Sequence, residues 1–321
     1  MKRFDGKIAV ITGGGAGMGR ELCLQLASEG CHVALCDVSP EALEQTQALC
    51  LEAAPAGTRI STFEADVSDE AKVLAFRDSV TETHETDHVH LLFNNAGIGA
   101  GGSFVVDDRE DWEKTFAVCW NGVYYCSRAF VPLLVASPEA HLINTSSVNG
   151  FWASLGPQSA HSAYSSAKFA VKGFTEALIN DFRIHAPHVG VSLVMPGHIG
   201  TSIVINSGRF LGREPKQIPD EELVSVRDRM ERMGFEVGGA TNDDIRNALQ
   251  ARAESFRDEA PMTASEAATV ILDGVRSQTW RILVGQDAVA LDRLVRENPE
   301  GAYEDAFMER LLGETDWGLN S

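Results

Sequence analysis

Short apolar segments alternate with segments of helical pattern along most of this chain, and this alternation limits the possible folds more than any other feature. The sequence predicts strands over 7–12, 32–37, 59–64, 90–94, 141–145, 189–194 and 281–284, and helices over 19–29, 40–54, 70–83, 111–136, 162–184 and 264–277. Because the strands are apolar throughout, helices must cover both faces of the sheet. We therefore predict an α/β protein with a Rossmann-type, doubly wound parallel sheet that binds ligands at the carboxyl ends of its strands.

Two regions depart from the alternation. The segment 201–263 is long, charged and partly helical, without a convincing strand, and the segment 286–321 follows the last predicted strand. We find no internal repeat, low-complexity tract or flexible linker. The sequence therefore predicts a single domain over 1–321, with an insertion at about 201–263 and a C-terminal extension at about 286–321.

Composition excludes several classes of partner. The chain carries 27 Lys and Arg against 46 Asp and Glu, a net charge of −19, which argues against binding to nucleic acid or to an anionic membrane surface. No apolar run is long enough to span a membrane, and the short apolar stretch after Lys2 and Arg3 fits a first strand better than a signal peptide. The six cysteines form no CxxC pair and no histidines have metal-ligand spacing. We expect a cytoplasmic protein with no metal site.

A glycine-rich turn at 12–19 joins the first strand to the first helix. Gly13, Gly17 and Gly19 allow the backbone to approach a pyrophosphate at the helix N-terminus, which predicts a dinucleotide site. Asp37 ends the second strand, where a carboxylate binds ribose hydroxyls and repels a 2′-phosphate, so NAD is favoured over NADP. Arg20 keeps NADP open, because a guanidinium beside the glycines is able to meet a phosphate. A solvated turn aspartate is the alternative interpretation of Asp37.

Tyr164 and Lys168 lie four residues apart and so share one face of a predicted helix. A free tyrosine has a pKa near 10, and a neighbouring ammonium favours the phenolate, so the pair predicts an acid/base whose pKa is lowered towards neutrality. Ser146 and Ser147 follow the fifth strand and offer a hydroxyl to a reacting oxygen. His161 is an alternative base, although Tyr164 already fills that role.

These features occur in a fixed order: the turn at 12–19, Asp37, Asp66-Val67, the NNAG segment at 94–97, Asn121, Ser147, Tyr164-x-x-x-Lys168 and Pro196-Gly197. The set resembles the classical short-chain dehydrogenase/reductase family. The resemblance covers roughly residues 4–201, with a weaker echo at 285–288.

The resemblance implies a role for each matching residue. Tyr164 would be the acid/base, Lys168 would bind the nicotinamide ribose, and Asn121 would hold a water for proton relay. Ser147 would bind the substrate oxygen, and is preferred to Ser146 because Gly150 follows it in the family's Ser-x-x-Gly pattern. Asn149 joins Ser147 and Tyr164 as a substrate-binding residue. The expected cofactor-binding residues are Gly13, Gly17, Met18, Gly19, Asp37, Asp66, Val67, Asn94, Ala96, Gly97, Tyr164, Lys168, Pro196, Gly197, Ile199 and Thr201.

Two departures from the family pattern bear on the substrate. Ser147 and Tyr164 are further apart than usual, and the extra loop carries Phe151, Trp152, Pro157 and His161. The family uses the insertion as a substrate lid, and its length here implies a bulky apolar or aromatic substrate. An oligomer contact or a mobile loop is the alternative. Phe151, Trp152, Ile199, Ile203 and Val204 are expected as pocket walls.

The sequence therefore predicts an NAD-dependent oxidoreductase that transfers a hydride between nicotinamide and a secondary alcohol or ketone. The alternatives are a catalytically silent dinucleotide-binding sensor, an NADP-dependent carbonyl reductase, and an NAD-using epimerase or dehydratase acting on a nucleotide sugar. The resemblance implies a homodimer or homotetramer. The tail from Gln286 is a candidate to wrap a neighbouring subunit.

Overall fold

The computed structural model describes residues 1–100, 102–156, 159–232, 234–315 and 317, which include a seven-stranded parallel sheet. Its strands, in the order in which they pair, are β3 (Ile60–Glu64), β2 (His32–Asp37), β1 (Ile8–Thr12), β4 (Leu91–Asn94), β5 (Ala140–Thr145), β6 (Val189–Pro196) and β9 (Arg281–Val284). Every neighbouring pair is parallel. The strand order reverses between β1 and β4, and such a switch point leaves a crevice at the carboxyl ends of the strands. The predicted fold class is confirmed.

Helices cover both faces of the sheet. They are α1 (Gly17–Ser28), α2 (Pro40–Ala53), α3 (Glu70–Thr83), α4 (Arg109–Phe116), α5 (Gly122–Ala136), α6 (Ser162–His185), α7 (Ile203–Phe210), α8 (Asp220–Arg232), α9 (Asn242–Asp258), α10 (Ala264–Arg276), α11 (Gln286–Glu297) and α12 (Asp305–Glu314). Alternate residues of β1 enter two different cores: Ala9 and Ile11 pack with α1 and α10, whereas Ile8 and Val10 pack with α3 and α5. This two-sided burial explains why the strands are apolar throughout.

The predicted helix over 111–136 is not continuous. A single π-helical turn, Ala117–Asn121, separates α4 from α5. Such turns insert one extra residue and occur frequently at functional sites. The expectation of one regular helix was wrong at this point, and Asn121 is the last residue of the turn.

The described part of the insertion contains three α-helices, α7, α8 and α9, and a small apolar cluster that includes Leu223, Val237 and Ile245. A two-stranded parallel ladder closes its base: β7 (Ile199–Gly200) pairs with β8 (Met262–Thr263). The expectation that this region holds no strand was therefore wrong at its last two residues. Thr263 also begins α10 with a capping box, so the main fold resumes immediately after the ladder.

The C-terminal extension packs on its own chain. Helices α11 and α12 bury Leu291, Phe307 and Leu311 against Val148 and Trp152 in the segment that follows β5. This cluster lies within one chain, and the contact of the tail with a neighbouring subunit stays a prediction. No helix in the described ranges is both long and apolar enough to cross a membrane.

Candidate active site

The glycine turn lies against the end of β4. A Cβ added at Gly13 would lie 2.8 Å from the Cα of Ala96, and Gly13 has a φ of +66°, so a larger residue is excluded by both space and conformation. A Cβ at Gly19 would lie 2.0 Å from the carbonyl oxygen of Gly13. Ala16 precedes α1 and makes no side-chain cap, so the first N–H groups of the helix remain available to an anion.

Asp37 stands at the opposite side of the turn from β4. Its Oδ2 accepts a hydrogen bond from Gly15 N at 3.0 Å, and its Oδ1 accepts one from Ser39 N at 3.1 Å. Arg20 points elsewhere: its Nη2 donates to the carbonyl oxygen of Gly15 at 2.6 Å, and its Nε donates to Thr46 Oγ1 at 3.1 Å. The guanidinium therefore supports the turn through the carbonyl oxygen of Gly15 and the hydroxyl of Thr46.

A cavity of about 170 Å³ runs along the turn. Nine of the sixteen residues predicted to bind cofactor line it. Those that line it are Gly13, Gly17, Met18, Asp37, Asp66, Val67, Ala96, Gly97 and Thr201, whereas Asn94 does not. The lining also contains residues that sequence reasoning missed, namely Ala16, Val38, Ala65, Asn95, Ile98, Val118, Ser202, Asn206 and Phe210. Ile203, expected as a substrate wall, lies here instead.

The predicted cofactor role of Asn94 does not agree with its surroundings. Its side chain is 1% exposed, and its Nδ2 donates to Asn144 Oδ1 at 2.8 Å and Ser127 Oγ at 3.0 Å. The amide therefore joins β4 to β5 and α5 beneath the cavity. Asn95 reaches the cavity instead, with its Nδ2 3.2 Å from the carbonyl oxygen of Thr12. Side chains alternate between the faces of a strand, so adjacent asparagines point in different directions.

The Pro196-Gly197 segment is held by a residue from the C-terminal extension. Asp287, 4% exposed in α11, accepts a hydrogen bond on Oδ2 from His198 N at 2.6 Å. A Cβ at Gly197 would lie 2.2 Å from the same oxygen. Burial raises the pKa of Asp287, while the hydrogen bonds from the backbone of His198 and Ala288 oppose the increase. The echo at 285–288 was the sequence signal for this contact, although it did not identify its partner.

Ile199 and Gly19 contribute to the same region through packing. Ile199 is 4% exposed and belongs to the main core beneath the cleft, and Gly19 is buried where α1 crosses the turn. Neither lines either cavity described here.

Tyr164 and Lys168 lie side by side on α6. The Nζ of Lys168 is 5.4 Å from the centre of the Tyr164 ring and donates to the carbonyl oxygen of Thr145 at 2.9 Å. The Lys168 side chain is 2% exposed. A Cβ at Gly97 would lie 3.5 Å from that Nζ, so the ammonium reaches the NNAG segment at the edge of the first cavity.

The two serines after β5 have different partners. Ser146 Oγ donates to the backbone carbonyl of Lys168 at 2.8 Å and is thereby committed to the helix. Ser147 Oγ accepts from Asn149 N at 3.1 Å and shares a hydrogen bond with Tyr164. Of the two hydroxyls, that of Ser147 adjoins the phenol.

Burial governs the ionisation of the pair. Desolvation raises the pKa of Tyr164 well above its ordinary value, the Cys119 thiol acts in the same direction, and the hydrogen bond with Ser147 acts against it. Burial also lowers the pKa of Lys168. The expectation that Lys168 brings the pKa of Tyr164 towards neutrality is therefore wrong for the polypeptide alone. Tyr164 is held in its protonated form at neutral pH.

Two residues expected around the substrate support the loop instead. Asn149 is 2% exposed, and its Nδ2 donates to the carbonyl oxygens of Ser154 at 2.7 Å and Trp152 at 3.1 Å. Trp152 is 1% exposed, and its Nε1 donates to the carbonyl oxygen of Ala302 at 2.7 Å. Both were assigned by nearness to Ser147 in sequence, but Asn149 binds the backbone of its own loop and Trp152 faces the C-terminal extension. Phe151 packs against the same cluster, and Pro157 lies outside the described residues.

A second cavity, of about 370 Å³, lies between the insertion at about 201–263, called the lid below, and the start of α6. Leu155, Val204 and Leu211 give it an apolar wall, and His161 faces it. The centres of the His161 and Tyr164 rings are 4.7 Å apart, so this cavity adjoins the phenol.

Ion pairs join the insertion to the first turn of α4 and to the two residues before it, at the rim of the second cavity. Arg213 lies 2.7 Å from Asp111 Oδ2 and 2.8 Å from Asp108 Oδ2, and Arg229 pairs with Asp107. The insertion therefore covers a cavity of its own chain.

Comparison with known proteins agrees with this geometry. The family model described as short chain dehydrogenase matches residues 7–210. The chain belongs to the short-chain dehydrogenase family. SadH of Mycobacterium tuberculosis, a protein named as an oxidoreductase, is 34% identical over 297 residues, covering 92% of each chain. This dehydrogenase family member is accordingly an oxidoreductase with a nucleotide-binding Rossmann fold.

Two solved structures extend the comparison. A short-chain dehydrogenase/reductase from Burkholderia phymatum, in complex with NAD, is 31% identical with a TM-score of 0.74, covering 94% of this chain and 96% of that one. A metagenomic short-chain oxidoreductase in complex with NADP is 30% identical with a TM-score of 0.53, covering 60% of this chain and 83% of that one. The two relatives thus hold different cofactors.

Proposed function

We propose that this protein is an NAD-dependent dehydrogenase that interconverts a secondary alcohol and its ketone, with Tyr164 as acid/base. The observation that carries the proposal is that three groups lie together: the Tyr164 phenol, the Ser147 hydroxyl that hydrogen-bonds to it, and the Lys168 ammonium 5.4 Å from the centre of the phenol ring. Lys168 adjoins the glycine-turn cavity through Gly97, and Tyr164 adjoins the second cavity through His161. A catalytically silent sensor has no need of this arrangement.

The first cavity fits a dinucleotide. Its turn excludes a Cβ at Gly13, and the uncapped N-terminus of α1 suits a pyrophosphate. Asp37 uses one lone pair on each carboxylate oxygen for Gly15 and Ser39, so further lone pairs remain for the two hydroxyls of a ribose. The same negative charge repels a 2′-phosphate, and Arg20, the nearest candidate to neutralise it, is bound to the carbonyl of Gly15. These contacts support NAD over NADP.

The residues then divide the chemistry of the reaction. When bound, NAD⁺ would accept the hydride that leaves the carbinol carbon. Ser147 would donate a hydrogen bond to the reacting oxygen while Tyr164 takes the hydroxyl proton. Tyr164 takes that proton in its phenolate form, which Lys168 would stabilise. Asn121 would hold a water that carries the proton onward from Tyr164 and so restores the phenolate. In the reverse direction Tyr164 donates its proton to the ketone oxygen, and its raised pKa keeps it ready for that step.

The experiment is a panel of secondary alcohols and ketones assayed with the full chain and each cofactor, read by the absorbance of the reduced nicotinamide. We expect turnover with NAD⁺ and NADH, at a higher kcat/KM than with NADP⁺ and NADPH. Binding of NADH without turnover across the panel would support a sensor. Greater efficiency with the phosphorylated cofactors would contradict the role given to Asp37.

A further inference from the structure

His161 stands where the chemistry of Tyr164 meets the lid cavity. It precedes α6 by one residue, and its ring covers that of Tyr164 at a centre-to-centre distance of 4.7 Å and a tilt of 33°. It also lines the cavity of about 370 Å³. The ring is therefore close to any substrate whose reacting oxygen is bound by the phenol.

The ring of His161 is available to a ligand. The side chain does not cap α6, and within the described ranges no hydrogen bond joins the ring to another residue. Burial lowers its pKa to about 4, so the imidazole is neutral at physiological pH. A neutral imidazole offers one N–H donor and one nitrogen lone pair, which suit a carbonyl and a hydroxyl respectively.

The rest of the cavity limits what such a ligand is. Leu155, Val204 and Leu211 provide an apolar surface. The arginines of the described lining, Arg213 and Arg229, are already neutralised by aspartates. An anionic substrate therefore lacks a free counter-charge among these residues, and a neutral polar group costs less to bury if it finds a hydrogen bond.

We propose that His161 binds a second, neutral oxygen of the substrate, next to the carbon that reacts. The substrate class is then a vicinal diol or α-hydroxyketone with an otherwise apolar body. This assignment rests on the proposed function, because it takes Tyr164 as the group that binds the reacting oxygen. The competing interpretation is that His161 only packs against Tyr164.

The test compares two substrates that share one carbon skeleton: 1-phenylpropane-1,2-diol, and 1-phenylpropan-1-ol, which lacks the second oxygen. Loss of a buried hydrogen bond between neutral groups costs about tenfold in an equilibrium or rate ratio. We expect the wild type to favour the diol in kcat/KM by about that factor or more. The ratio within each variant is the measured quantity, since a general loss of activity cancels from it.

Three variants separate the interpretations. His161→Phe keeps an aromatic ring against Tyr164 but removes both polar nitrogens, and we expect the ratio to fall to about one. His161→Asn retains a donor and an acceptor, and we expect part of the preference to remain. Val204→Ala changes the apolar wall alone, and we expect it to alter both substrates alike and preserve the ratio.

The outcomes against the assignment are distinct. A wild type without preference for the diol, or a His161→Phe variant that keeps the preference, would overturn it. Equal loss on both substrates in His161→Phe would show that the ring serves only to position Tyr164. If the wild type oxidises neither substrate nor any alcohol in the wider panel, the proposed function itself fails, which the panel reveals before any variant is made.

Discussion

Trp152 joins the loop after β5, which carries Ser147, to the C-terminal extension. Replacing Trp152 with Phe tests that connection. The indole is 1% exposed, lies 5.4 Å from the Phe307 ring between centres and 5.6 Å from that of Trp317, and donates to Ala302. Phe keeps an aromatic ring at the site but has no N–H. The carbonyl of Ala302 then remains buried without its donor, and the smaller ring leaves a void.

The cost follows from these two losses. A buried acceptor without a partner costs about 1–3 kcal/mol. The residual void adds roughly 1 kcal/mol, at about 24 cal/mol per Å³ of cavity. We therefore expect Trp152→Phe to lower the free energy of unfolding by about 2–4 kcal/mol. With a urea m-value of about 3 kcal/mol/M, the unfolding midpoint moves down by about 1 M.

The assay is urea unfolding followed by far-ultraviolet circular dichroism, with kcat/KM measured in parallel. Tyr303→Phe is the matched control, because its hydroxyl accepts from Ala153 N at 3.2 Å but the side chain is 61% exposed, so water replaces the lost bond. We expect that control to move the midpoint by less than about 0.3 M. We also expect Trp152→Phe to lower kcat/KM by about tenfold, since the same loop carries Ser147. An unchanged midpoint in Trp152→Phe, or an equal shift in the control, would refute the reasoning.

Three further predictions concern the cofactor turn and the response to acid. Asp37→Ser removes the charge that repels a 2′-phosphate, so the ratio of kcat/KM for NAD⁺ over NADP⁺ should fall by about tenfold or more; an unchanged ratio would show that Asp37 does not select the cofactor. Gly19→Ala places a Cβ 2.0 Å from the carbonyl oxygen of Gly13, so NADH affinity measured by fluorescence should fall by at least about tenfold, and wild-type affinity would contradict the packing. His90 and His141 are buried with pKa values lowered to about 4, so between pH 6.5 and pH 4 the unfolded chain binds protons that the folded chain does not. Each of these histidines contributes roughly 3 kcal/mol to the free energy of unfolding above pH 6.5, and this contribution is lost as the pH falls to 4. A urea midpoint that stays constant from pH 7.5 to pH 4.5 would contradict this prediction.

The main elements were predictable because local pattern and tertiary burial agree. Continuous apolar runs such as 32–37 form central strands that are covered on both faces, and Ser39 and Pro40 begin α2 as their capping preferences indicate. The two-residue strand Met262–Thr263 was missed because it exists only through pairing with Ile199–Gly200, about sixty residues earlier. The π-helical turn before Asn121 likewise has no local sequence signal.

The candidate site likewise contains residues that the sequence predicts and residues that only the structure reveals. The glycines, Tyr164 and Lys168 were found because their positions follow from short intervals along the chain and do not depend on distant contacts. The direction of a side chain in a loop depends on tertiary contacts, so Asn149 was assigned to the substrate although its amide binds backbone carbonyls. The role of Asp287 could not be predicted, because it accepts a hydrogen bond from His198, which lies 89 residues earlier in the chain.

The pKa of Tyr164 shows a further limit of spacing arguments. The four-residue interval predicts an ammonium close to the phenol, and the structure has one 5.4 Å from the ring centre. The interval carries no information about desolvation, which here raises the pKa of the phenol and lowers that of Lys168. Burial is a property of the assembled site, so the sign of the shift required the structure.

The central claim is that the Tyr164 hydroxyl exchanges a proton with the reacting oxygen, and Tyr164→Phe removes that hydroxyl while retaining the ring. The decisive measurement is kcat for the best alcohol of the panel, with NADH binding followed by fluorescence to establish that the cleft is formed and Tyr124→Phe, an exposed phenol on α5, as the matched control. We predict that Tyr164→Phe lowers kcat by about 10³-fold while NADH still binds. Turnover at the wild-type rate in Tyr164→Phe would contradict the account.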